Sequence, residues 1–259
     1  MSDVATTPSR ARLWWEIGIV LALGLGQSAL YSIVRLIDYS TRETALGDQT
    51  TTLNPSLNDR AVFDLIYQLL RIVFAVTPVV LACFLLWSSQ RPHLARLGFD
   101  GSRIGRDALW GVLLAAAIGI PGLGVYLGGR ALGLTVGVQA SALDWTWWTI
   151  PILALSALVA GIQEEVIVLG YLFARLGDLG WNRWAIICAS ALFRGSYHLY
   201  QGWTPFLGNV LMGLLFGWLY SRTRRVWPFV IAHALLDAAI FIGYPWAAAT
   251  WPDLFGVGH

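Results

Sequence analysis

The chain has 259 residues, of which 57% are hydrophobic and 12% are charged, and its mean hydropathy is +0.62. A typical soluble domain is about 25% charged, so the composition excludes a soluble enzyme, a disordered segment and a nucleic-acid-binding protein. The net charge of +2 is too small to indicate a polyanionic partner. The composition instead indicates a multi-pass protein of the lipid bilayer, in which Trp collects at the interfaces and Gly permits close helix packing.

Apolar runs of helix length predict seven membrane spans. The first run is longer than a signal-peptide core, and no small-residue cleavage site follows it, so we interpret it as a membrane helix. The fifth and sixth runs are short for a full crossing, which suggests that these helices are tilted or buried. In chain order the predicted spans are Leu13–Val34, Ala61–Trp87, Ala108–Leu132, Thr149–Phe173, Trp184–Leu199, Pro205–Tyr220 and Val226–Tyr244.

The distribution of arginine predicts the orientation of the chain. All 17 basic residues are Arg, and most of them lie in the N-terminal tail and in every second loop, whereas the intervening loops are neutral or acidic on balance. The positive-inside rule therefore predicts a cytoplasmic N-terminus, an external C-terminus and a location in the cell membrane. The arginines that carry this prediction are Arg10, Arg12, Arg91, Arg96, Arg103, Arg106, Arg175, Arg183, Arg222, Arg224 and Arg225.

Polar side chains concentrate in the last four predicted spans, although an ionisable group at the centre of a membrane helix costs roughly 2.5–3.5 kcal/mol. Two pairs of these residues are four apart, so each pair shares one helix face. Two adjacent carboxylates lie about 100° apart around their helix, so one can face a site while the other faces a neighbouring helix. This pattern predicts a polar site shielded from lipid, formed by Glu164, Glu165, Arg194, His198, Asn209, His233 and Asp237.

This set of side chains suits two kinds of chemistry. A carboxylate and an imidazole can activate water as a general base. The four residues Glu164, His198, His233 and Asp237 could also coordinate a metal such as zinc, with one position open for water. Both lead to hydrolysis, and zinc is the only cofactor that the residues suggest. The alternative without chemistry is a group of buried ion pairs that serves packing alone.

At these residues the sequence resembles the CPBP family of intramembrane proteases, which includes the Ras-converting CAAX prenyl endopeptidases. The family pattern is Glu-Glu-x-x-x-Arg, aromatic-x-x-x-His and a final His-x-x-x-Asn/Asp, each on its own helix. Here the corresponding segments read EEVIVL at 164–169, RGSYH at 194–198 and HALLD at 233–237, and GNVLMG at 208–213 resembles the helix that joins them. We therefore divide a single membrane domain of 1–259 into a cytoplasmic tail at 1–12, N-terminal helices at 13–148, a catalytic core at 149–244 and a C-terminal tail at 245–259.

The resemblance implies an endopeptidase of the glutamate or metallo type that cleaves a peptide or protein in the membrane. It implies that Glu164 is the general base, that His198 helps to polarise the water, and that His233 and Asp237 stabilise the tetrahedral intermediate. Because an ionised Asp cannot donate a hydrogen bond to an oxyanion, we expect Asp237 to orient His233, which would then be the donor. Supporting roles fall to Glu165, Arg194 and Asn209.

Two residues depart from the family pattern. Leu169 stands where the family has Arg, and Arg194 stands where the family has an aromatic residue. Our hypothesis is that Arg194 replaces the missing charge and balances Glu165. A second interpretation is a non-proteolytic immunity or scaffold protein of the same fold. A proton-coupled transporter is less favoured, since the polar residues form one cluster and the sequence has no evident inverted repeat.

Overall fold

A computed structural model describes residues 8–87 and 97–251, and most of these residues are helical. Two π-helical turns, Val166–Tyr171 and Ala239–Gly243, continue the helices Thr149–Glu165 and Trp227–Ala238 into the short helices that follow them. The predicted tails at 1–12 and 245–259 lie partly outside the described residues, and Arg91 and Arg96 lie wholly outside them. The elements are α1 (Arg10–Ala22), α2 (Leu25–Ser40), β1 (Thr50–Asn54), α3 (Ala61–Leu85), α4 (Ile104–Ala131), β2 (Gly137–Ser141), α5 (Thr149–Glu165), α6 (Leu172–Asp178), α7 (Arg183–Ser196), α8 (Trp203–Thr223), α9 (Trp227–Ala238) and α10 (Tyr244–Thr250).

Within the described residues, four helical units are long and apolar enough to cross a membrane, and the pair α1 and α2, bent by 61°, would make a fifth. The chain is therefore a multi-pass membrane protein. The count of seven spans is not confirmed, because α7 has only 14 residues, or about 21 Å, against a hydrocarbon core of about 30 Å. Helix α8 is also not among the qualifying units. Those four units are Ala61–Leu85, Gly101–Ala131, Thr149–Asp178 and Trp227–Ala247.

Two short strands interrupt the helical architecture that the sequence predicts. Strands β1 and β2 pair in parallel, with Thr50 opposite Gly137. The chain just before β2 also joins the turn that follows α7, since Val136 N–H donates to Gln201 O at 3.0 Å. At the end of this turn Gly202 has φ 106° and a Cβ there would lie 2.6 Å from Leu134 O, so the position requires glycine. The strands thus help to fix the turn that directly follows His198.

Two close helix crossings bring the polar residues together. Helix α9 packs most extensively against α4 and α5, and α7 packs against α8. A Cβ on Gly161 of α5 would lie only 2.9 Å from Val230 O and 3.1 Å from Ala234 N of α9. A Cβ on Gly213 of α8 would lie 3.3 Å from Cδ of Arg194. These glycines let α9 approach the Glu-Glu pair and leave room for the arginine side chain beside α8.

The broken first span also contacts this region. A Cβ on Gly24, at the break between α1 and α2, would lie 2.9 Å from Nε2 of Gln163, the residue before the Glu-Glu pair. Further along α2, the buried Ser32 accepts a hydrogen bond from Tyr200 N–H at 2.7 Å. Helix α2 therefore covers the turn after His198.

Candidate active site

The most deeply buried part of the site consists of three charged or polar side chains from three helices. Nη2 of Arg194 donates to Oε1 of Glu165 at 2.6 Å, and the same oxygen lies 2.7 Å from Nδ1 of His233. Arg194 and Glu165 are 0% exposed, and His233 is 4% exposed. Since a carboxylate only accepts hydrogen bonds, Nδ1 of His233 is the protonated donor, and this bond fixes the ring with Nε2 on the opposite side.

Glu164 lies beside these three residues, and one of its oxygens is close to four other side chains. Its Oε2 accepts a hydrogen bond from Oη of Tyr197 at 2.7 Å and lies 3.5 Å from Nη1 of Arg194. The same oxygen is 3.8 Å from Nε2 of His233 and 3.9 Å from Nε2 of His198. Both imidazole distances are too long for a direct hydrogen bond, and they are suited to a water molecule that contacts the carboxylate and a ring nitrogen.

Three other side chains of the cluster are more exposed than this deeply buried part. The side chains of Glu164, His198 and Asp237 are 12%, 17% and 20% exposed. Nε2 of His198 is buried and has no hydrogen-bond partner among the described residues. Because a buried donor or acceptor left unpaired costs free energy, this nitrogen marks the place where a water or a substrate would bind.

The direct bond from Asp237 that was expected to orient His233 is not present, and the role of Asp237 stays a prediction. Oδ2 of Asp237 lies 3.6 Å from Nε2 of His233, beyond hydrogen-bond length. Asp237 is one turn further along the same helix, so its carboxylate reaches only the outer nitrogen of the ring. The carboxylate that holds the ring is Glu165, which approaches Nδ1 from the facing helix.

Asn209 also differs from expectation, because its amide takes no part in the hydrogen bonds that the structure describes within the cluster. Its Nδ2 donates to Pro205 O at 3.0 Å, one turn earlier in the same helix. Its supporting role therefore stays a prediction from the sequence.

Tyr197 is the residue of the cluster that sequence reasoning passed over. It is 5% exposed, follows the last residue of α7 and bonds directly to Glu164. Its ring packs edge-on against Phe193, with centroids 5.6 Å apart, and lies 4.8 Å from the ring of His198. A tyrosine beside the motif histidine in an apolar helix was the available signal, because a buried phenol commonly has a hydrogen-bond partner.

The four candidate metal ligands do not form a ready metal site. In the described part of the chain, no group of three or more His, Cys, Asp or Glu side chains has an arrangement that could hold a metal ion. Zinc ligands lie about 2.0–2.2 Å from the metal, and the separations around Glu164 exceed those of a closed ligand shell. We therefore derive no step through a metal.

Comparison with known families agrees with this geometry. Residues 146–239 match the family model described as type II CAAX prenyl endopeptidase, Rce1-like. The matched segment contains every residue of the cluster, from Glu164 to Asp237, so this part of the chain is similar to the CAAX-protease (CPBP) family, a family of membrane proteases. No curated protein and no solved structure matches the chain.

Proposed function

We propose that the protein is an intramembrane endopeptidase that hydrolyses a peptide bond of a membrane-associated protein or peptide. The observation that carries this proposal is the position of Oε2 of Glu164, within 3.9 Å of Nε2 of both His198 and His233. Glu164 and His198 are partly exposed, and Nε2 of His233 faces Glu164 from the buried side of the cluster. Ion pairs that serve packing alone give no reason for two imidazole nitrogens to face the same carboxylate oxygen.

The reaction begins with a water bound between Oε2 of Glu164 and Nε2 of His198. Glu164 takes a proton from this water as its oxygen attacks the carbonyl carbon of the substrate. The resulting oxyanion faces Nε2 of His233, which donates to it in the doubly protonated ring. The proton held by Glu164 then passes to the leaving amine as the C–N bond breaks.

The deeply buried residues Glu165 and Arg194 keep these catalytic groups in place. Glu165 holds the ring of His233 through Nδ1, and Arg194 supplies the charge that balances Glu165 inside the bundle. In this proposal Arg194 replaces the arginine that the family has at Leu169. Because Arg194 lies on α7, four residues before His198, its bond to Glu165 also ties α7 to α5.

The substrate would reach the site from the bilayer or from the cytoplasmic face. We infer that α7 and α8 cross the cell membrane as inner helices of a seven-span bundle. The N-terminus of the chain then lies in the cytoplasm. Surrounding protein lets a polar or short helix reside at membrane depth, since the polar groups are then satisfied inside the bundle. The cluster itself contains nothing that selects a lipid, so prenylation of the substrate does not enter the proposal.

The second candidate function is a non-proteolytic membrane protein of the same fold that binds a partner. Leu169 in the place of the motif arginine is the observation that favours it. In this case the cluster would serve packing, and the charge of Glu164 would be dispensable for function.

The experiment that separates the two candidates compares new protein termini in cell membranes. Membranes from cells that express the wild type, Glu164→Gln or no protein are compared by mass spectrometry of protein termini. A protease gives termini that appear with the wild type and vanish with Glu164→Gln at equal accumulation. Glu43→Gln, an exposed loop residue, is the matched control and should behave as the wild type. Termini that persist with Glu164→Gln would overturn the proposal.

A further inference from the structure

Tyr197 is bonded to the oxygen that would take the proton from water. Its Oη lies 2.7 Å from Oε2 of Glu164, the oxygen that also faces both histidines. We infer that Tyr197 is a further catalytic residue, whose phenol O–H holds the base at rest and donates to the oxyanion of the tetrahedral intermediate. This inference rests on the proposed hydrolysis and assigns one more donor to the same site.

Two other donors of the cluster already bond to Glu165, and Nε2–H of His233 is the oxyanion donor that Tyr197 would join. The guanidinium of Arg194 is completely buried and bonds to Glu165, and Nδ1–H of His233 points at the same carboxylate. Asp237 stands where an amide could have donated, and an ionised carboxylate is only an acceptor. Among the described residues, Tyr197 thus provides a neutral O–H that already contacts Glu164.

Burial alone does not explain the bond between Tyr197 and Glu164. Tyr171, on the π-helical turn after α5, is 0% exposed, and its phenol interacts with Arg175 rather than with the cluster. The ring of Tyr197 packs against Phe193 and His198, and its Oη bonds to Glu164.

The step balances without any further reactant. Water gives one proton to Oε2 of Glu164 while its oxygen forms a bond to the carbonyl carbon, and the π electrons of the carbonyl move onto its oxygen. Once Glu164 is protonated, its oxygen is a weaker acceptor, and the Tyr197 O–H turns to the oxyanion. When the C–N bond breaks, the proton of Glu164 goes to the amine and the phenol returns to the regenerated carboxylate. Tyr197 itself neither gains nor loses a proton.

The first test is Tyr197→Phe, which removes the oxygen and keeps the ring contacts. Loss of one oxyanion donor typically costs 10²–10³-fold in kcat, so we expect new termini to form about 100-fold more slowly, with KM and the melting temperature unchanged. Tyr171→Phe is the matched control, because it removes a buried phenol oxygen outside the cluster, and it should leave the rate unchanged. A wild-type rate for Tyr197→Phe, while Glu164→Gln is inactive, would overturn this inference alone. If Glu164→Gln is itself active, the proposed function fails first.

The second test distinguishes donation to the oxyanion from a purely structural role. Incorporation of 3-fluorotyrosine or 3,5-difluorotyrosine at position 197 makes the O–H a stronger donor while the ring keeps its shape. The oxyanion is a stronger base than a carboxylate, so it gains more from the stronger donor. At a pH below ionisation of these phenols, the rate should therefore rise with their acidity. A rate that falls as the phenol becomes more acidic would show that Tyr197 only restrains Glu164. A rate that is independent of phenol acidity and varies only with the melting temperature would show a packing role. Either result would contradict the inference.

Discussion

Arg194 and Glu165 form an ion pair at 2.6 Å in which both side chains are 0% exposed. The two residues lie on different helices and are 29 positions apart in the chain. Such a pair is stable inside a membrane bundle only if each charge is compensated, because removing one partner leaves the other buried and unpaired. The pair also carries His233, since the same carboxylate oxygen holds Nδ1 of that ring.

We predict that Arg194→Leu destabilises the protein by about 3–5 kcal/mol, the usual cost of an uncompensated buried charge. Thermal unfolding in detergent and the amount of protein in the membrane both measure the loss. Arg183→Leu, an exposed residue of the same helix, is the matched control and should change stability by less than about 0.5 kcal/mol.

The double variant Arg194→Leu with Leu169→Arg should recover part of the stability and activity. Leu169 lies on the π-helical turn after α5 and is 1% exposed, so an arginine there returns the charge to the interior of the bundle. Leu169→Arg alone should destabilise, because it adds a second buried cation. A double variant that is as unstable as the sum of its two single changes would contradict the replacement of one arginine by the other.

Gly161→Ala should separate α9 from α5 and lower activity. The added Cβ would meet Val230 O at 2.9 Å and Ala234 N at 3.1 Å, and backbone atoms cannot move aside as a side chain can. Overpacking of this kind costs about 1–3 kcal/mol, and it would shift His233 away from Glu165. Gly208→Ala is the control, since a Cβ there has nothing within 4 Å. Equal melting temperatures and rates for the two variants would argue against this close crossing.

Acid should weaken the contact between the segment before α4 and the segment before α9. The Ser102 hydroxyl and backbone N–H, followed by the guanidinium of Arg225, lower the pKa of Asp100 from 3.8 to about 2. A carboxylate with a lowered pKa stabilises the folded state fully above its unfolded value, and this contribution is lost as the pH falls through the folded value. The wild type should therefore be more stable than Asp100→Asn at pH 7, and the difference should shrink between about pH 4 and pH 2. Melting temperatures across this range measure it, and a difference that is independent of pH would contradict the assignment.

Metal analysis tests the metal-free form of the mechanism. We predict that the purified protein contains far less than one zinc per chain and that chelators leave its activity unchanged. Elemental analysis and an activity assay after chelation are the measurements. Stoichiometric zinc that is lost together with activity would show that Glu164, His198, His233 and Asp237 rearrange into a ligand shell.

The sequence predicts the helical membrane character and the charged members of the polar cluster, because charges in an apolar helix are costly and therefore conspicuous. It predicts the pairing of Arg194 with Glu165 less directly, from a missing arginine at one position and an extra one at another. The sequence does not define the role of Asp237. Its spacing places Asp237 and His233 on one helix face but does not show which carboxylate reaches Nδ1 of His233.

The sequence also did not predict the two short strands or the contact between Tyr197 and Glu164. Strands β1 and β2 lie 87 positions apart, with Thr50 opposite Gly137, and each has only five residues. Tyr197 reads as one aromatic residue among many until the fold brings its hydroxyl to Glu164. The count of seven spans stays a prediction for a related reason, because apolar content alone does not distinguish a crossing helix from a short inner one.

The most direct test of the hydrolytic site is the cleavage rate of purified protein in lipid vesicles, with a substrate taken from the survey of new termini. Glu164→Gln replaces one oxygen of the carboxylate by an amide group of nearly the same size, so it should fold as the wild type does and cleave at less than about one-thousandth of its rate, since the base is lost. A variant with an unchanged melting temperature that still cleaves within tenfold of the wild-type rate would contradict the account.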